Sequence, residues 1–169
     1  NLAPRQLESE TLVGDVESAL TRSGLDAGRL ILEITEGEIM LHPDMALARL
    51  RELKALGVRV AIDDFGTGYS SLSHLQYFPV DELKIDRSFV SRMEDGERET
   101  SFVRTMLSLA HSIGVEVVAE GIERDTQEKA LTELGCHTGQ GYLFSRPVGG
   151  ELVIAWLAQH ARASAGVGR

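Results

Sequence analysis

The chain has 169 residues, 43% of them hydrophobic and 25% charged, which is the balance of a globular domain rather than of a disordered segment. Its 26 acidic against 17 basic side chains give a formal charge of -9, which excludes a protein that wraps a nucleic-acid polymer. A single cysteine, Cys136, excludes a disulfide framework, and no apolar run reaches the roughly 18 residues that span a bilayer.

Five apolar segments predict β-strands, and helical patterns separate them along the chain. The predicted strands are residues 30–35, 58–62, 82–85, 115–119 and 141–144. Their starts lie 24 to 33 residues apart, a spacing that suits strand–helix units and is too long for hairpins. Most of these segments lack polar alternation, which is typical of parallel strands buried on both faces.

The segments between these strands carry the start and stop signals of helices. Pro43 suits the first turn of a helix that Gly57 ends. Residues 103–113 repeat apolar side chains at the spacing of one helix face. Asp125 with Glu128 predicts a capping box at the start of a further helix. The chain therefore alternates strands with helices.

Repeated strand–helix units favour either an open doubly wound sheet or a (β/α)₈ barrel. A complete barrel needs at least about 200 residues, so the barrel alternative requires that about two units are missing before residue 1. The first residue is not an initiator Met, and we expect the chain to be a piece of a longer protein. We expect one domain over residues 1–160, with a last helix over residues 152–159, and a flexible tail over residues 161–169.

Polar side chains recur where the predicted strands end. They are Glu33 and Glu36 at the first strand, Asp63 and Asp64 at the second, Lys84 and Asp86 at the third, Glu120 and Glu123 at the fourth, and Gln140 just before the fifth. Each pair by itself is typical of a turn or a helix cap, and an ion pair with Asp86 is an alternative for Lys84. In a parallel barrel, however, all these ends meet at one rim, where active sites lie. Such an oxygen-rich cluster suits Mg²⁺ or Mn²⁺, and two such ions sharing a carboxylate can support phosphodiester hydrolysis.

Six motifs follow one another along the chain. They are Asn-Leu-Ala-Pro-Arg-Gln-Leu at residues 1–7, Leu-Glu-Ile-Thr-Glu at 32–36, Ile-Asp-Asp-Phe-Gly-Thr-Gly-Tyr-Ser-Ser-Leu at 62–72, Leu-Lys-Ile-Asp at 83–86, Val-Ala-Glu-Gly-Ile-Glu at 118–123 and Gln-Gly-Tyr-Leu-Phe at 140–144. This series resembles the EAL domain family of cyclic di-GMP phosphodiesterases, with Ala3 where the family has Ser. The resemblance runs from Asn1 to about Pro147. It implies an α/β fold, a modified TIM (β/α)₈ barrel, truncated here at its N-terminus to about six strand–helix units.

The resemblance also implies a role for the strand-end residues around two Mg²⁺ or Mn²⁺ ions. The metal ligands would be Asn1, Glu33, Asp63, Asp64 and Glu120, and Asp63 would bridge the ions. Lys84 would position or help deprotonate the attacking water, so that Lys84, Glu120 and Asp63 form the catalytic set. Gln140, Glu123 and Asp86 would support the network of metal and water or lie behind it. Carboxylates hold hard cations, which stabilise the charge of the transition state.

The long loop after the second predicted strand has an implied role of its own. The resemblance suggests that Glu36 anchors this loop, and that the loop contacts substrate or couples the site to a dimer partner. The loop residues in question are Phe65, Gly66, Thr67, Gly68, Tyr69 and Ser70.

The partners that the resemblance implies are cyclic di-GMP, a second copy in a homodimer, and an upstream sensory or GGDEF-type domain. We expect a cytoplasmic location, because the nucleotide is cytosolic and the N-terminus lacks a signal-peptide pattern, with an upstream membrane anchor left open. The Glu-Ala-Leu motif that names the family supplies a further metal ligand and lies upstream of residue 1. We therefore expect the chain alone to be inactive or poorly folded unless a partner copy or a swapped segment closes it.

Three functions are compatible with these residues. The first is a metal-dependent phosphodiesterase that opens cyclic di-GMP to linear pGpG. The second is a catalytically inactive receptor or scaffold that binds cyclic di-GMP, which a replaced Glu in the upstream motif would favour. The third is an unrelated barrel metalloenzyme that pairs a lysine with carboxylate-bound Mg²⁺ for proton abstraction.

Overall fold

A computed structural model describes residues 1–67 and 76–165 of the chain, without the side chains of residues 158–165. In that part of the chain, five strands form one sheet in which all neighbours pair in parallel. They are β1 (Ile31–Thr35), β2 (Arg59–Phe65), β3 (Glu82–Ile85), β4 (Glu116–Glu120) and β5 (Thr138–Gln140). The strands lie side by side in chain order, as in a barrel, whereas a doubly wound sheet reverses its order at a switch point. The fold is therefore part of a barrel, as predicted.

Helices precede the first strand and alternate with the strands that follow. In the described residues they are α1 (Pro4–Leu7), α2 (Leu12–Ser23), α3 (Glu36–Leu41), α4 (Pro43–Ala55), α5 (Arg87–Arg92), α6 (Glu97–Ser112), α7 (Asp125–Glu133) and α8 (Gly150–Ala165). Short 3₁₀ turns lie at Ala27–Arg29 and Met93–Asp95. No helix in this part of the chain combines the length and the apolar character that crossing a bilayer requires.

The core lies between these helices and one face of the sheet. Ile62 of β2 and Leu83 of β3 are each 1% exposed. Leu50 and Leu53 of α4 and Val103 of α6 are fully buried against the same cluster. The apolar side chains of α4 and α6 recur at helical spacing, so each helix turns one stripe toward the sheet. This packing holds the strands in place from one side and leaves their other face for polar side chains.

The end of β1 passes directly into α3 through a capping box. The Thr35 hydroxyl accepts a hydrogen bond from the backbone N–H of Glu38 at 3.3 Å, and the Glu38 carboxylate accepts one from the N–H of Thr35 at 2.9 Å. These two bonds satisfy backbone donors that a helix start otherwise leaves unpaired. Glu36 is therefore fixed as the first residue of α3, immediately behind the end of β1.

The fifth strand lies three residues earlier than predicted. The prediction placed it at residues 141–144, whereas β5 is Thr138–Gln140. Residues 141–145 form a turn in which Phe144 and Ser145 donate backbone hydrogen bonds to the carbonyl of Gly141. A Cβ at Gly141 would overlap the backbone of Ile122, so the chain crosses the segment after β4 at a point where only glycine fits. The apolar residues that suggested a strand belong to this crossing, and the strand itself is polar.

The start of α7 also differs from the prediction. The capping side chain is that of Gln127 rather than Glu128. The Gln127 amide oxygen accepts hydrogen bonds from the backbone N–H groups of Glu123 at 2.8 Å and Arg124 at 3.1 Å. Gln127 is 4% exposed, and a neutral amide enters such a buried position with a smaller desolvation penalty than a carboxylate. The helix therefore begins at Asp125, with Arg124 as its N-cap residue.

Candidate metal and phosphodiester site

Polar side chains from all five strands share one face of the sheet. Successive side chains along a strand alternate between faces, so residues that pair across strands lie on the same face. Asp63 of β2 pairs with Thr35 of β1. Glu33 lies two residues before Thr35, so Glu33 and Asp63 are on the same face. Lys84 pairs with Val118, two residues before Glu120, and Glu120 pairs with Gln140. The register therefore brings these side chains together at the carboxyl ends of the strands, on the face opposite the helices.

Lys84 stands at the centre of this group. Its ammonium Nζ lies 2.7 Å from Glu120 Oε1, 2.9 Å from Glu33 Oε1 and 3.3 Å from Asp63 Oδ1. The side chain of Lys84 is 8% exposed, and those of Glu120 and Asp63 are 16% and 18% exposed. Four neighbouring strands thus contribute one cation and three carboxylates to a single, largely buried cluster.

Burial and ion pairing shift the pKa values of Lys84 and Glu120 in opposite directions. Burial alone would lower the pKa of Lys84, but its hydrogen bonds to Glu120 and Glu33 raise that pKa well above its ordinary value. Lys84 is therefore an ammonium at neutral pH. Burial raises the pKa of Glu120, and the bond from Lys84 opposes this shift. With one ammonium among three carboxylates, the cluster keeps an excess of negative charge.

Asp64 lies beside this cluster on a distorted segment of β2. Its φ angle is +54°, in the left-handed region, and the pairing of β2 with β3 shifts register between Ile62 and Phe65. Its carbonyl accepts hydrogen bonds from the backbone N–H of Thr67 at 3.2 Å and from the Thr67 hydroxyl at 2.8 Å. Asp64 is exposed, and its charge interacts with those of Asp63 and Lys84, which places it at the same end of the sheet as the cluster.

The left-handed backbone at this position predicts a difference between two substitutions of Asp64. Asp64→Ala is expected to lower the free energy of unfolding by about 1 kcal/mol relative to Asp64→Asn, because asparagine tolerates positive φ and alanine does not. Both variants lose the negative charge, so the difference in their stabilities reports the cost of the left-handed backbone conformation. Denaturant unfolding of the two proteins measures it, and equal stabilities would contradict a left-handed conformation at residue 64.

Glu36 fixes the start of the loop that follows β2. Its carboxylate Oε2 accepts a hydrogen bond from the backbone N–H of Gly66 at 2.9 Å, and the side chain is almost fully buried. Gly66 has a φ angle of +95°, and a Cβ there would overlap the Met106 methyl and press on the Phe89 ring. Phe65, the residue before it, is buried in the core. The loop therefore leaves the sheet along one defined path.

The remaining predicted residues that the structure describes do not join the ion pairs of the cluster. Asn1 and Glu123 are exposed, and Gln140 is exposed at the end of β5. Asp86 caps α5, where its carboxylate accepts a hydrogen bond from the N–H of Ser88 at 3.0 Å. Lys84 thus pairs with the carboxylates of other strands rather than with Asp86. Of the predicted loop, Thr67 is described, whereas Gly68, Tyr69 and Ser70 lie outside the described residues.

Arg87 is a basic residue at this end of the sheet that the sequence patterns did not single out. It follows Asp86 directly and is the first residue of α5. Burial raises the pKa of Asp64, and the negative charges of Asp63 and Asp86 add to this rise. The positive charges of Lys84 and Arg87 oppose it. The signal available in the sequence was a cation immediately after a strand-end carboxylate. An exposed guanidinium beside the carboxylates suits contact with a phosphate.

The donor types at this end of the sheet fit a hard divalent cation. Glu33, Asp63 and Glu120 supply carboxylate oxygens that already converge on one positively charged atom, and Asp64 adds a neighbouring carboxylate. Oxygen ligands of this kind are those of Mg²⁺ and Mn²⁺. As they stand, however, no three His, Cys, Asp or Glu side chains within residues 1–67 and 76–157 are placed to hold a metal ion. The carboxylates are arranged around the ammonium of Lys84 instead.

Comparison with known proteins relates this site to one family. The profile of the EAL domain matches residues 1–147. The bifunctional diguanylate cyclase/cyclic di-GMP phosphodiesterase MucR of Pseudomonas aeruginosa is 41% identical over 158 residues, which are 94% of the chain and 23% of MucR. The chain therefore spans less than a quarter of the length of that relative.

Solved structures give the same relationship. The EAL domain of Mycobacterium smegmatis DcpA is 40% identical with a TM-score of 0.89, over 94% of this chain and 71% of that one. Klebsiella pneumoniae BlrP1, solved as a complex with manganese and cyclic di-GMP, is 34% identical with a TM-score of 0.82, over 87% of this chain and 38% of that one. With the order of its strands, the position of its polar cluster and the profile match over residues 1–147, the chain belongs to the EAL domain family.

Proposed function

We propose that the chain is part of a metal-dependent phosphodiesterase that hydrolyses cyclic di-GMP to linear pGpG in second-messenger signalling. The observation that carries the proposal is the convergence of Glu33, Asp63 and Glu120 on Lys84 at the carboxyl ends of neighbouring barrel strands. Further support comes from MucR, a relative named as a cyclic di-GMP phosphodiesterase, and from BlrP1, which binds manganese and the same dinucleotide. Catalytic residues of barrel enzymes lie at this end of the strands.

In this proposal the strand-end carboxylates hold two Mg²⁺ or Mn²⁺ ions. The residues that would hold these ions are Asn1, Glu33, Asp63, Asp64 and Glu120. When bound, the ions neutralise phosphate charge and make an activated water available near neutral pH. Lys84 donates hydrogen bonds from its ammonium and positions the attacking water against the phosphorus. Lys84, Asp63 and Glu120 are thus the residues on which hydrolysis depends most directly.

The other residues of the proposal orient this set. Gln140, Glu123 and Asp86 shape the surrounding network of water and hydrogen bonds, and Glu36 holds the loop over residues 65–70 against substrate or a partner copy. We propose that the protein acts as a homodimer in the cytoplasm, with a sensory or GGDEF-type domain upstream. In this proposal the domain proper covers residues 1–160, and helix α8 continues past that boundary to Ala165.

Removing the metal tests the proposal on the full-length protein. We expect linear pGpG to accumulate with Mn²⁺ or Mg²⁺ and to stop accumulating when a chelator removes the ion, because the site then has no divalent cation to neutralise phosphate charge. Chromatography of the reaction with cyclic di-GMP measures the product. Readdition of Mn²⁺ in excess over the chelator is the control and is expected to restore turnover.

Two other results would overturn the proposal in different ways. Binding of cyclic di-GMP without product, with either ion, would make the protein a receptor or scaffold rather than an enzyme. Neither binding nor product from a folded protein would remove the dinucleotide as its ligand. Calorimetry with cyclic di-GMP in the presence of Ca²⁺, a cation of similar ligand preference, separates binding from turnover.

A further inference from the structure

The ammonium of Lys84 is the cation around which the site is built. An ammonium has three hydrogen-bond donors, and here three carboxylates, from Glu33, Asp63 and Glu120, lie within 3.3 Å of Nζ. Glu120 and Glu33 accept hydrogen bonds from this nearly buried ammonium, and Asp63 adds a third negative charge beside it. Without this charge, three carboxylates on adjacent strands would repel one another across a poorly solvated space.

The same carboxylate oxygens cannot serve the ammonium and a divalent cation at once. Mg²⁺ needs such oxygens at about 2.0–2.1 Å, a distance at which it would also lie against the positive charge on Lys84. The placement of the acidic side chains agrees with this competition between Lys84 and a metal ion. Within the described part of the chain, the acidic side chains are not placed to hold a metal ion as they stand.

We propose that Lys84 is an internal counter-ion that holds the metal-free site together, and that a divalent cation must displace its ammonium from the carboxylates in order to bind. The inference rests on the proposed function, since it takes Glu33, Asp63 and Glu120 as metal ligands. It adds a competition between Lys84 and the metal, which sets how tightly the metal binds.

Charge and flexibility both make the exchange feasible. Three carboxylates against one ammonium leave an excess negative charge, and the adjacent Asp64 adds to it, so a divalent ion balances the site better than Lys84 does. The lysine side chain is long and unbranched, and its end can move while β3 stays in register with β2 and β4. The strands thus remain in place in both states.

Lys84→Met tests the competition, with Lys54→Met as its matched control. Lys54 also forms a partly buried ion pair, donating to both oxygens of Asp81 at 2.8 Å, but from the end of α4 and outside the cluster. In the full-length protein we expect Lys84→Met to bind Mn²⁺ about tenfold tighter or more than the unaltered protein, because no ammonium has to leave. In chelator we expect its melting temperature to fall, and Mn²⁺ to raise it by more than in the unaltered protein. Lys54→Met is expected to bind Mn²⁺ as the unaltered protein does.

Calorimetry with Mn²⁺ and thermal melting in chelator or in Mn²⁺ give the two readouts, neither of which depends on turnover. Unchanged or weaker Mn²⁺ binding by Lys84→Met would overturn the inference, because it would mean that Lys84 supports the metal rather than competing with it. If Lys84→Met does not fold, Lys84→Gln, which keeps hydrogen-bond donors without the charge, decides in the same way. Failure of the unaltered protein to bind Mn²⁺ would instead contradict the proposed metal site, so the two failures are distinguishable.

Discussion

Glu120→Gln is expected to slow hydrolysis of cyclic di-GMP by about a hundredfold or more, whereas Glu116→Gln is expected to leave it nearly unchanged. Both glutamates lie on β4, four residues apart and on the same face of the sheet. Glu120 ends the strand and lies 2.7 Å from Lys84 Nζ, while Glu116 begins it and pairs with Arg59. The substitution keeps the size of the side chain and removes only the anionic charge for which Lys84 and a metal ion would compete.

The initial rate of pGpG formation at saturating Mn²⁺ measures this difference in the full-length protein. The melting temperature of each variant in chelator is the control for folding. We expect it to change little in Glu120→Gln, because Lys84 keeps Glu33 and Asp63 as partners. Equal rates in the two variants would contradict a site at the carboxyl ends of the strands.

Gly66→Ala is expected to lower the free energy of unfolding by about 1–3 kcal/mol, mainly because alanine is strained at a positive φ angle. Two penalties combine at this position. The φ angle of +95° is strained for any residue with a Cβ, and the added methyl would overlap the end of Met106 and press on Phe89. The backbone N–H of Gly66 is also the donor to Glu36, so a shift that relieves the overlap weakens the loop anchor.

Gly14→Ala is the matched control for this substitution. Gly14 lies within α2, and no heavy atom lies within 4 Å of the position that a Cβ would take there. Alanine at this position is therefore expected to stabilise the helix by about 0.5–1 kcal/mol. Denaturant unfolding measures the change in the free energy of unfolding for both variants, which we expect to be a loss for Gly66→Ala and a gain for Gly14→Ala. A Gly66→Ala protein as stable as the unaltered one would mean that the loop after β2 leaves the sheet along another path.

The position of β5 illustrates where local sequence signals mislead. Aromatic and apolar residues after Gly141 have the composition of a strand, and Thr138–Gln140 does not. What decides the outcome is a contact between distant segments, because Gly141 lies against the backbone of Ile122 and the chain must turn there. A pattern along the chain contains no information on such an approach.

The sequence by itself determined the parallel strand–helix order, the positions of β1 to β4 to within two or three residues and the recurrence of acids at their ends. It could do so because buried parallel strands and amphipathic helices require apolar residues at fixed local spacings. Only the tertiary structure decided which charges meet. Lys84 and Asp86 are neighbours in sequence, yet Lys84 pairs with Glu33, Asp63 and Glu120, while Asp86 caps a helix. The physical reason is that the register between strands, set by packing of residues far apart in the chain, fixes the distances on which ion pairing depends.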